Sequence, residues 1–332
     1  MITELMIMTI GLISDVPDVE VAPEPSAIRS AVVKALPPIL KSIREYPDHR
    51  ECFSCHHQAM PALALSLAKG RGFGIEDEAI SGLVDLTRED LEGAKESYQK
   101  GSGQGGGVTR AGYALLTLEV GGQVADEVTG AVAGYLLQRD ESTDHWRGSS
   151  NRPPSEASEF TATYLALRGL AAFGSDEQRP RIDARREKAR KWLKDTRPKD
   201  TEDRVFRLLA LQQASAPEAE IGEATRELLE TQRDDGGWAQ LDGGTSDAYA
   251  TGSTLVALNL AGGLSAESPE YRRGLRYLIA DQREDGTWFV ASRSKPFQAY
   301  FESGFPHGKD QFISIAASAW SSAALILASP LK

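Results

Sequence analysis

Ser246-Asp-Ala-Tyr-Ala-Thr-Gly-Ser-Thr-Leu-Val-Ala-Leu-Asn-Leu-Ala-Gly-Gly263 has the composition of a helix that is apolar around most of its circumference. A helix of this kind has to be buried. Five other Ala- and Leu-rich segments of the same type recur along the chain, spaced by about 43 to 64 residues. Such self-similarity predicts a repeat architecture. The five are Pro61 to Phe73, Thr109 to Gly122, Glu159 to Gly174, Glu202 to Ser215 and Asp310 to Ala328.

Amphipathic segments with charged faces alternate with these apolar ones. Their apolar positions recur at helical spacing, which is typical of helices with one buried and one solvated face. No stretch shows the period-2 alternation of a strand. We therefore predict an all-α fold, an α/α toroid of about six outer and six inner helices. The outer helices are expected near Ala27 to Glu45, Glu76 to Lys100, Ala125 to Gln138, Ile182 to Lys194, Pro217 to Gln232 and Pro269 to Gln282.

The composition excludes several classes of protein. With 332 residues, 41% hydrophobic and 26% charged, the chain can bury a large core. A net charge of -11 argues against a surface that tracks a phosphate backbone, so we expect no nucleic-acid partner. No run reaches the ~18 apolar residues of a membrane helix, so no transmembrane segment is expected. Residues 1–25 are interpreted as an N-terminal arm or a degenerate signal segment, and residues 26–332 as a single toroid domain.

A second recurring motif follows several of the outer helices. It is Gln232-Arg-Asp-Asp-Gly-Gly-Trp238 in one repeat and Gln282-Arg-Glu-Asp-Gly-Thr-Trp288 in the next, with a degenerate version from Gln138 to Trp146. This pattern resembles the QW repeat of the squalene-hopene cyclase and protein-prenyltransferase β-subunit superfamily. The resemblance implies an α/α toroid whose central apolar cavity accommodates isoprenoid chains. The partner it implies is an apolar, isoprenoid-like small molecule.

The catalytic residues of that superfamily are not all present. Squalene-hopene cyclases protonate an alkene with the central Asp of a DxDD cluster, and Tyr249 occupies that position after Asp247. A phenol of pKa ~10 is a poor substitute for a carboxylic acid. The prenyltransferase zinc triad is also incomplete, because Tyr249 replaces its Cys and Phe312 to Trp320 contains no His. The candidate catalytic residues are thus Asp247, Tyr249 and Glu159, and whether the chain is an enzyme stays open.

Acidic residues begin several of the predicted inner helices. They are Glu159, Glu202, Asp203, Asp247 and Asp310. Carboxylates at helix N-termini commonly serve as caps that complement the helix dipole. In an alternating toroid, however, every connection from an outer to an inner helix lies on the same rim. These carboxylates are therefore also expected around the mouth of the cavity.

Both cysteines of the chain lie in Glu51-Cys52-Phe53-Ser54-Cys55-His56-His57-Gln58. Cys52-x-x-Cys55-His56 has the spacing of a c-type haem attachment site, in which two thiols bind the haem and the adjacent His ligates iron. Alternatively, Cys52, Cys55, His56 and His57 form a site for zinc, iron or copper, or the two cysteines form a redox dithiol. In a third alternative the cysteines are structural and no cofactor is bound.

A haem at this motif would take its second axial ligand from the same rim. His307 is the first candidate, followed by His145, His57 and Met60. A haem would also imply a redox partner protein and a periplasmic or exported location, since haem c is attached outside the cytoplasm; without it a cytoplasmic location is expected.

The loop from Pro296 to Phe312 is long and aromatic, as lids and binding loops often are. Its Tyr300, Phe301 and Phe305, together with Trp146, are predicted to line or cover the ligand cavity. The alternative is that these aromatic side chains simply pack under the loop.

Three functions remain compatible with the sequence. The first is a toroid that binds an isoprenoid-like ligand beside a Cys-x-x-Cys-His cofactor site, with a redox role if the cofactor is haem. The second is a non-catalytic binding or scaffold protein. The third is a divergent cyclase that uses Asp247 or Glu159 as its acid.

Overall fold

A computed structural model of the chain describes residues 23–50, 53–296 and 299–330, and the side chain of His56 lies outside that description. The described residues form α-helices and contain no strand, only three isolated β-bridges. The α-helices are α1 Pro25–His49, α2 Met60–Gly70, α3 Asp77–Gly93, α4 Lys95–Gln99, α5 Gly107–Val120, α6 Glu127–Gln138, α7 Glu159–Phe173, α8 Arg179–Asp195, α9 Thr201–Gln213, α10 Glu218–Leu229, α11 Ala248–Leu260, α12 Pro269–Asp281 and α13 Gln311–Ala328.

The inner helices form a closed ring. Helices α2, α5, α7, α9, α11 and α13 contact one another in that order, and α13 packs back against α2. Helices α1, α3, α6, α8, α10 and α12 lie outside the ring. Burial follows the sequence pattern, because every residue of α11 from Ala248 to Leu258 is buried whereas α10 buries only Ala224 and Leu228. The predicted α/α toroid is confirmed.

The glutamines of the recurring motif tie neighbouring outer helices together. The Gln232 amide donates to the carbonyl of Gly236 at 2.9 Å and to that of Glu270, in α12, at 2.8 Å. The Gln282 amide makes the equivalent bonds to Gly286 at 3.0 Å and to Ala31, in α1, at 2.9 Å. Since α1 is the first outer helix, Gln282 closes the outer layer.

The tryptophans of the three motif copies share one geometry. The indole N–H groups of Trp146, Trp238 and Trp288 donate to the carbonyls of the residues ten positions earlier, at 2.7, 3.0 and 2.8 Å. All three side chains are fully buried. The Arg185 guanidinium, from α8, lies 4.1 Å from the ring centre of Trp146. Trp146 therefore packs at a junction between outer helices, and its assignment to the ligand cavity or lid stays a prediction.

The motif glycines permit the close approach of the next outer helix. Gly236 and Gly286 have φ values of 85° and 87°, a left-handed conformation that favours glycine. A Cβ atom on Gly286 would lie 2.0 Å from the carbonyl oxygen of Lys34, in α1. The Gly at this position is thus required by both backbone conformation and packing.

The connections divide into two rims. We call the rim with the outer-to-inner connections the mouth rim, and the rim with the inner-to-outer connections the tight rim. The mouth rim carries the three longest connections, residues 139–158, 230–247 and 282–310. The tight rim carries short ones, residues 71–76, 121–126, 174–178, 214–217 and 261–268.

One described helix is long and apolar enough to cross a membrane. It comprises residues Gly308–Ala328, and 89% of its most apolar window is buried inside the ring. Length and composition alone do not separate a membrane span from the core helix of a globular fold. Its burial between α2 and α11 is that of a core helix, in agreement with the expectation of no transmembrane segment.

Candidate functional site

Each of the six repeats places a polar or aromatic side chain at the centre of the ring. These side chains are all buried, and hydrogen bonds and ring contacts join those of the third to the sixth inner helices. They come from the turn before α2 and from the five other inner helices. The central cluster consists of Cys55, Tyr113, Thr161, Tyr164, Glu202, Phe206, Tyr249 and Trp320.

Glu202 is the acidic residue of this cluster. The hydroxyl of Thr161 lies 3.0 Å from one carboxyl oxygen, and the hydroxyl of Tyr249 lies 3.1 Å from the other. Burial raises the pKa of Glu202 to about 8, and the nearby Asp200 adds to the shift. The N-terminal dipole of α9 favours the charged form by only about 0.3–1 kcal/mol, so burial outweighs it. At neutral pH Glu202 is therefore mainly a neutral carboxylic acid.

The phenols around Glu202 are neutral as well. Burial and the neighbouring Glu202 raise the pKa of Tyr249 well above its usual value. Burial likewise raises the pKa of Tyr113, whose hydroxyl donates to the carbonyl of Ser155 at 3.2 Å. The Phe206 ring lies 5.5 Å from Tyr164 and 6.4 Å from Trp320. The centre thus combines aromatic surface with uncharged hydrogen-bonding groups.

Neither acid predicted from the sequence lies in this environment. Glu159 is half exposed and lies 3.3 Å from the imidazole of His145, on the side facing α8. Asp247 caps α11, because its carboxylate accepts from the backbone N–H of Ala250 at 3.0 Å and from the Gln240 amide at 3.1 Å. Burial raises the pKa of Asp247.

The helical spacing of apolar residues in α9 indicates that Glu202 lies on the buried face of this helix. Glu202 precedes Val205, Phe206 and Leu209 by three, four and seven residues, which places it on the same helix face as these buried side chains. By its position at the start of an inner helix, however, Glu202 is expected among the helix caps. The actual cap of α9 is Asp200, whose carboxylate accepts from the N–H of Asp203 at 3.0 Å.

Cys55 begins a π-helical turn, Cys55–Ala59, that leads into α2. Its side chain is buried, and burial raises the pKa of the thiol well above its usual value. The charges of Glu156, Arg152 and Arg110 also act on it. Cys52 and the side chain of His56 lie outside the described residues, so the complete haem or metal motif is not tested. Among the described residues, no group of three or more His, Cys, Asp or Glu side chains is arranged to hold a metal.

The candidate axial ligands lie in separate aromatic surroundings. His307 is 2.8 Å from the Thr287 hydroxyl and packs against Phe289 and Phe305. His145 stacks on Trp192 with ring centres 4.2 Å apart. Burial lowers the pKa of both imidazoles.

His57 stacks on Tyr46 with ring centres 4.7 Å apart, and Met60 is buried at the start of α2. A role for any of these four side chains in binding iron remains a prediction.

The predicted lid aromatics divide into two groups. Phe301 packs against Tyr46 and Phe312, with the Arg50 guanidinium 4.2 Å from its ring centre. Phe305 is buried in a small cluster with Ile39 and Ile315. Only Tyr300 is well exposed, so Phe301 and Phe305 pack beneath the loop, the alternative that the sequence left open.

Comparison with known proteins supports the fold and no closer relationship. No protein-family model and no curated protein sequence matches the chain. Among solved structures, the type II terpene cyclase MstE from Scytonema with geranylgeranyl dihydroxybenzoate is 12% identical, with a TM-score of 0.64 and coverage of 93% of this chain and 99% of that one. The same cyclase with merosterolic acid A is 13% identical, with a TM-score of 0.61 over the same shares.

A hydrolase shares the fold as well. An unsaturated glucuronyl hydrolase from Streptococcus agalactiae is 12% identical, with a TM-score of 0.53 and coverage of 93% of this chain and 92% of that one. Two unrelated activities on similar folds mean that function has to be argued from the site.

Proposed function

We propose that this protein binds an apolar, isoprenoid-like molecule at the centre of its ring and that Glu202 contacts the polar end of that molecule. The observation that carries the proposal is the buried carboxyl of Glu202, held by the hydroxyls of Thr161 and Tyr249 among aromatic side chains. A neutral carboxylic acid donates a hydrogen bond without the large penalty of burying a charge. The surrounding rings supply apolar contact area.

The cyclase neighbour supports this choice of ligand class. Its structures contain a geranylgeranyl substrate and a terpenoid product within a similar fold. The hydrolase neighbour does not favour a sugar here, because the described centre is rich in apolar and aromatic groups. The central tyrosines, Phe206 and Trp320 suit a prenyl chain better than a carbohydrate.

Two ligands that differ by one polar group provide the test. Geranylgeraniol carries a hydroxyl, whereas squalene is a hydrocarbon, and binding of each is followed by the change in intrinsic tryptophan fluorescence, to which Trp320 at the centre contributes with four other tryptophans. Glu202→Met, which removes both the donor and the acceptor at similar volume, should weaken geranylgeraniol binding about 5- to 10-fold and leave squalene binding unchanged, since one hydrogen bond is worth about 1 kcal/mol. Glu159→Met is the matched control. If wild-type protein binds neither compound, the proposed ligand class is wrong.

A second candidate function is proton-initiated cyclisation, with Glu202 in place of the acids predicted earlier. In that reaction the carboxyl proton of Glu202 is transferred to an alkene carbon, the π electrons form the new C–H bond, and a carbocation and the Glu202 carboxylate result. Thr161 and Tyr249 would hold the carboxyl and stabilise the anion. A pKa of about 8 makes Glu202 a weak acid for an alkene, so ligand binding is the better supported function.

Variants of Glu202, Asp247 and Glu159 show which of these three acids donates the proton. Incubation with squalene or geranylgeraniol, followed by product analysis, should show a product that is lost in Glu202→Gln but retained in Asp247→Asn and Glu159→Gln. Loss in Asp247→Asn alone would assign the reaction to Asp247. A wild-type enzyme without product would leave ligand binding as the function.

The Cys-x-x-Cys-His motif supports a separate proposal, that the protein carries a c-type haem or else a zinc, iron or copper site. A haem would also imply a redox partner protein and an exported location. A pyridine haemochrome assay and elemental analysis, on protein expressed with cytochrome maturation genes, test it. Covalent haem that is lost in Cys55→Ser would support the haem. Protein without haem or stoichiometric metal would mean that the cysteines are structural.

A further inference from the structure

Residues 292–295, in the connection between α12 and α13, lie over the mouth of the ring. The hydroxyl of Ser294, in this connection, donates to the carbonyl of Pro153 at 2.8 Å. Pro153 belongs to the connection that precedes α7. Helices α7 and α13 are the third and the sixth of the six inner helices, so they lie on opposite sides of the ring. The two connections together therefore span the mouth of the ring and meet over it.

Side-chain hydrogen bonds hold this crossing segment, which we call the strap, residues Ser292 to Lys295. Besides the bond from Ser294, the Arg293 guanidinium donates to the side-chain oxygen of Gln240, before α11, at 2.7 Å. At its own end, the backbone N–H of Ser292 donates to the Asp310 carboxylate at 2.8 Å. Ser292, Arg293 and Lys295 are exposed, and Ser294 is half-buried. The strap is therefore held by two polar contacts, one to the far side at Pro153 and one to the neighbouring repeat at Gln240, rather than by a packed core.

Central side chains lie beneath the connection that the strap holds. Glu156 follows Pro153 by three residues, is buried, and pairs with Arg152. Ser155, in the same connection, accepts a hydrogen bond from the hydroxyl of the central Tyr113 at 3.2 Å, and the Cys55 thiol of the same cluster is only 7% exposed. Release of the strap would free the connection around Pro153 and uncover the side of the centre where Cys55 lies.

We propose that the strap is a gate over the central site, closed in this structure, and that breaking the Ser294 and Arg293 latches opens the route into the ring. The geometry favours entry from this side, because short connections join the helices at the tight rim. The proposal does not depend on which ligand the centre binds.

The accessibility of Cys55 tests the gate without any ligand. We would measure the rate at which N-ethylmaleimide labels Cys55 in the full chain, in a Cys52→Ser background. The Arg293→Ala, Ser294→Ala double variant should be labelled at least about 5-fold faster, since the loss of even one hydrogen bond of about 1 kcal/mol changes an opening equilibrium by that factor. Each single variant should show a smaller increase.

Two variants control for effects unrelated to the latches. Lys295→Ala alters the strap outside both latches, and Ser265→Ala removes a serine hydroxyl from a connection of the tight rim. Both should be labelled at the wild-type rate. Labelling through global unfolding is recognised by its steep dependence on urea, whereas strap opening exposes little surface and should depend on urea weakly. A double variant labelled at the wild-type rate, or one whose faster labelling follows global unfolding, would overturn the gate.

Discussion

The two rims of the toroid join the same helices but have different roles, since the tight rim contains only short turns and the mouth rim contains the candidate site residues. At the tight rim, connections of a few residues turn each inner helix directly into the next outer helix. At the mouth rim, long connections carry the motif tryptophans and the strap, and the N-termini of the inner helices present Glu202 and Asp247. Fold stability can thus be set by packing at one end while the other end varies its chemistry. This division resembles the separation of stability and catalysis at the two faces of other repeat barrels.

The motif tryptophans are an exception to this division. They lie at the mouth rim, but we expect them to stabilise the fold. Trp288→Ala removes a fully buried indole and its hydrogen bond to Leu278, and it should lower the free energy of unfolding by about 3–5 kcal/mol. Urea unfolding followed by circular dichroism measures the loss. The neighbouring Phe289→Ala, at a side chain that is 37% exposed, is the control and should have a much smaller effect. Equal losses would mean that the motif does not hold the outer layer.

The tight rim should respond to changes in packing alone. In Gly174→Ala, the new Cβ atom would lie 2.5 Å from the carbonyl oxygen of Leu170 and 2.3 Å from the Ile182 side chain. Relieving such overlap should lower the free energy of unfolding by about 1–3 kcal/mol, while geranylgeraniol affinity stays unchanged.

Gly70→Ala is the matched control on the same rim, since its Cβ atom would meet no atom within 4 Å. It should be neutral or slightly stabilising. A loss of geranylgeraniol affinity in Gly174→Ala without a loss of stability would contradict the division between the rims.

Glu202 makes the mouth side of the ring sensitive to pH. Its pKa is raised to about 8 in the folded protein, whereas an unfolded Glu titrates near ~4.3. Between these values the folded state retains a proton that the unfolded state has released. Stability therefore falls as pH rises, by at most about 1.4 kcal/mol per pH unit from this group, and the loss is complete above pH 8.

The difference in urea stability between wild type and Glu202→Gln isolates this contribution between pH 6.5 and 8. The carboxyl of Asp281, with a pKa raised to about 6, titrates below most of that range. Glu159→Gln should keep the wild-type slope. If wild type and Glu202→Gln have parallel pH profiles, the Glu202 carboxyl is already ionised at neutral pH.

The sequence predicted the ring well because burial leaves a periodic pattern. Helix α11 is apolar on every side and α10 on one face, which is enough to assign inner and outer positions. The central site was harder, since it is assembled from residues far apart in the chain. Glu202 and Asp247 both begin inner helices, and only the structure shows that one carboxyl lies among hydroxyls while the other caps its helix. The strap was not predicted, because one hydrogen bond between Ser294 and Pro153 carries no local signal.

Substitution of Tyr300 should have the smallest effect on the free energy of unfolding. It contrasts with substitution of Phe305 in the same loop. Its side chain is 55% exposed, and it is the predicted lid residue that the loop does not bury. Tyr300→Ala should change the free energy of unfolding by no more than about 0.5 kcal/mol, as exposed substitutions usually do. Phe305→Ala, in the same loop but buried against Ile39 and Ile315, should lower it by about 3–5 kcal/mol. If Tyr300→Ala weakens geranylgeraniol binding at unchanged stability, Tyr300 covers the ligand. If Tyr300→Ala has no effect on binding, the loop around Tyr300 contributes only packing. The strap is then the part of this connection that controls ligand entry.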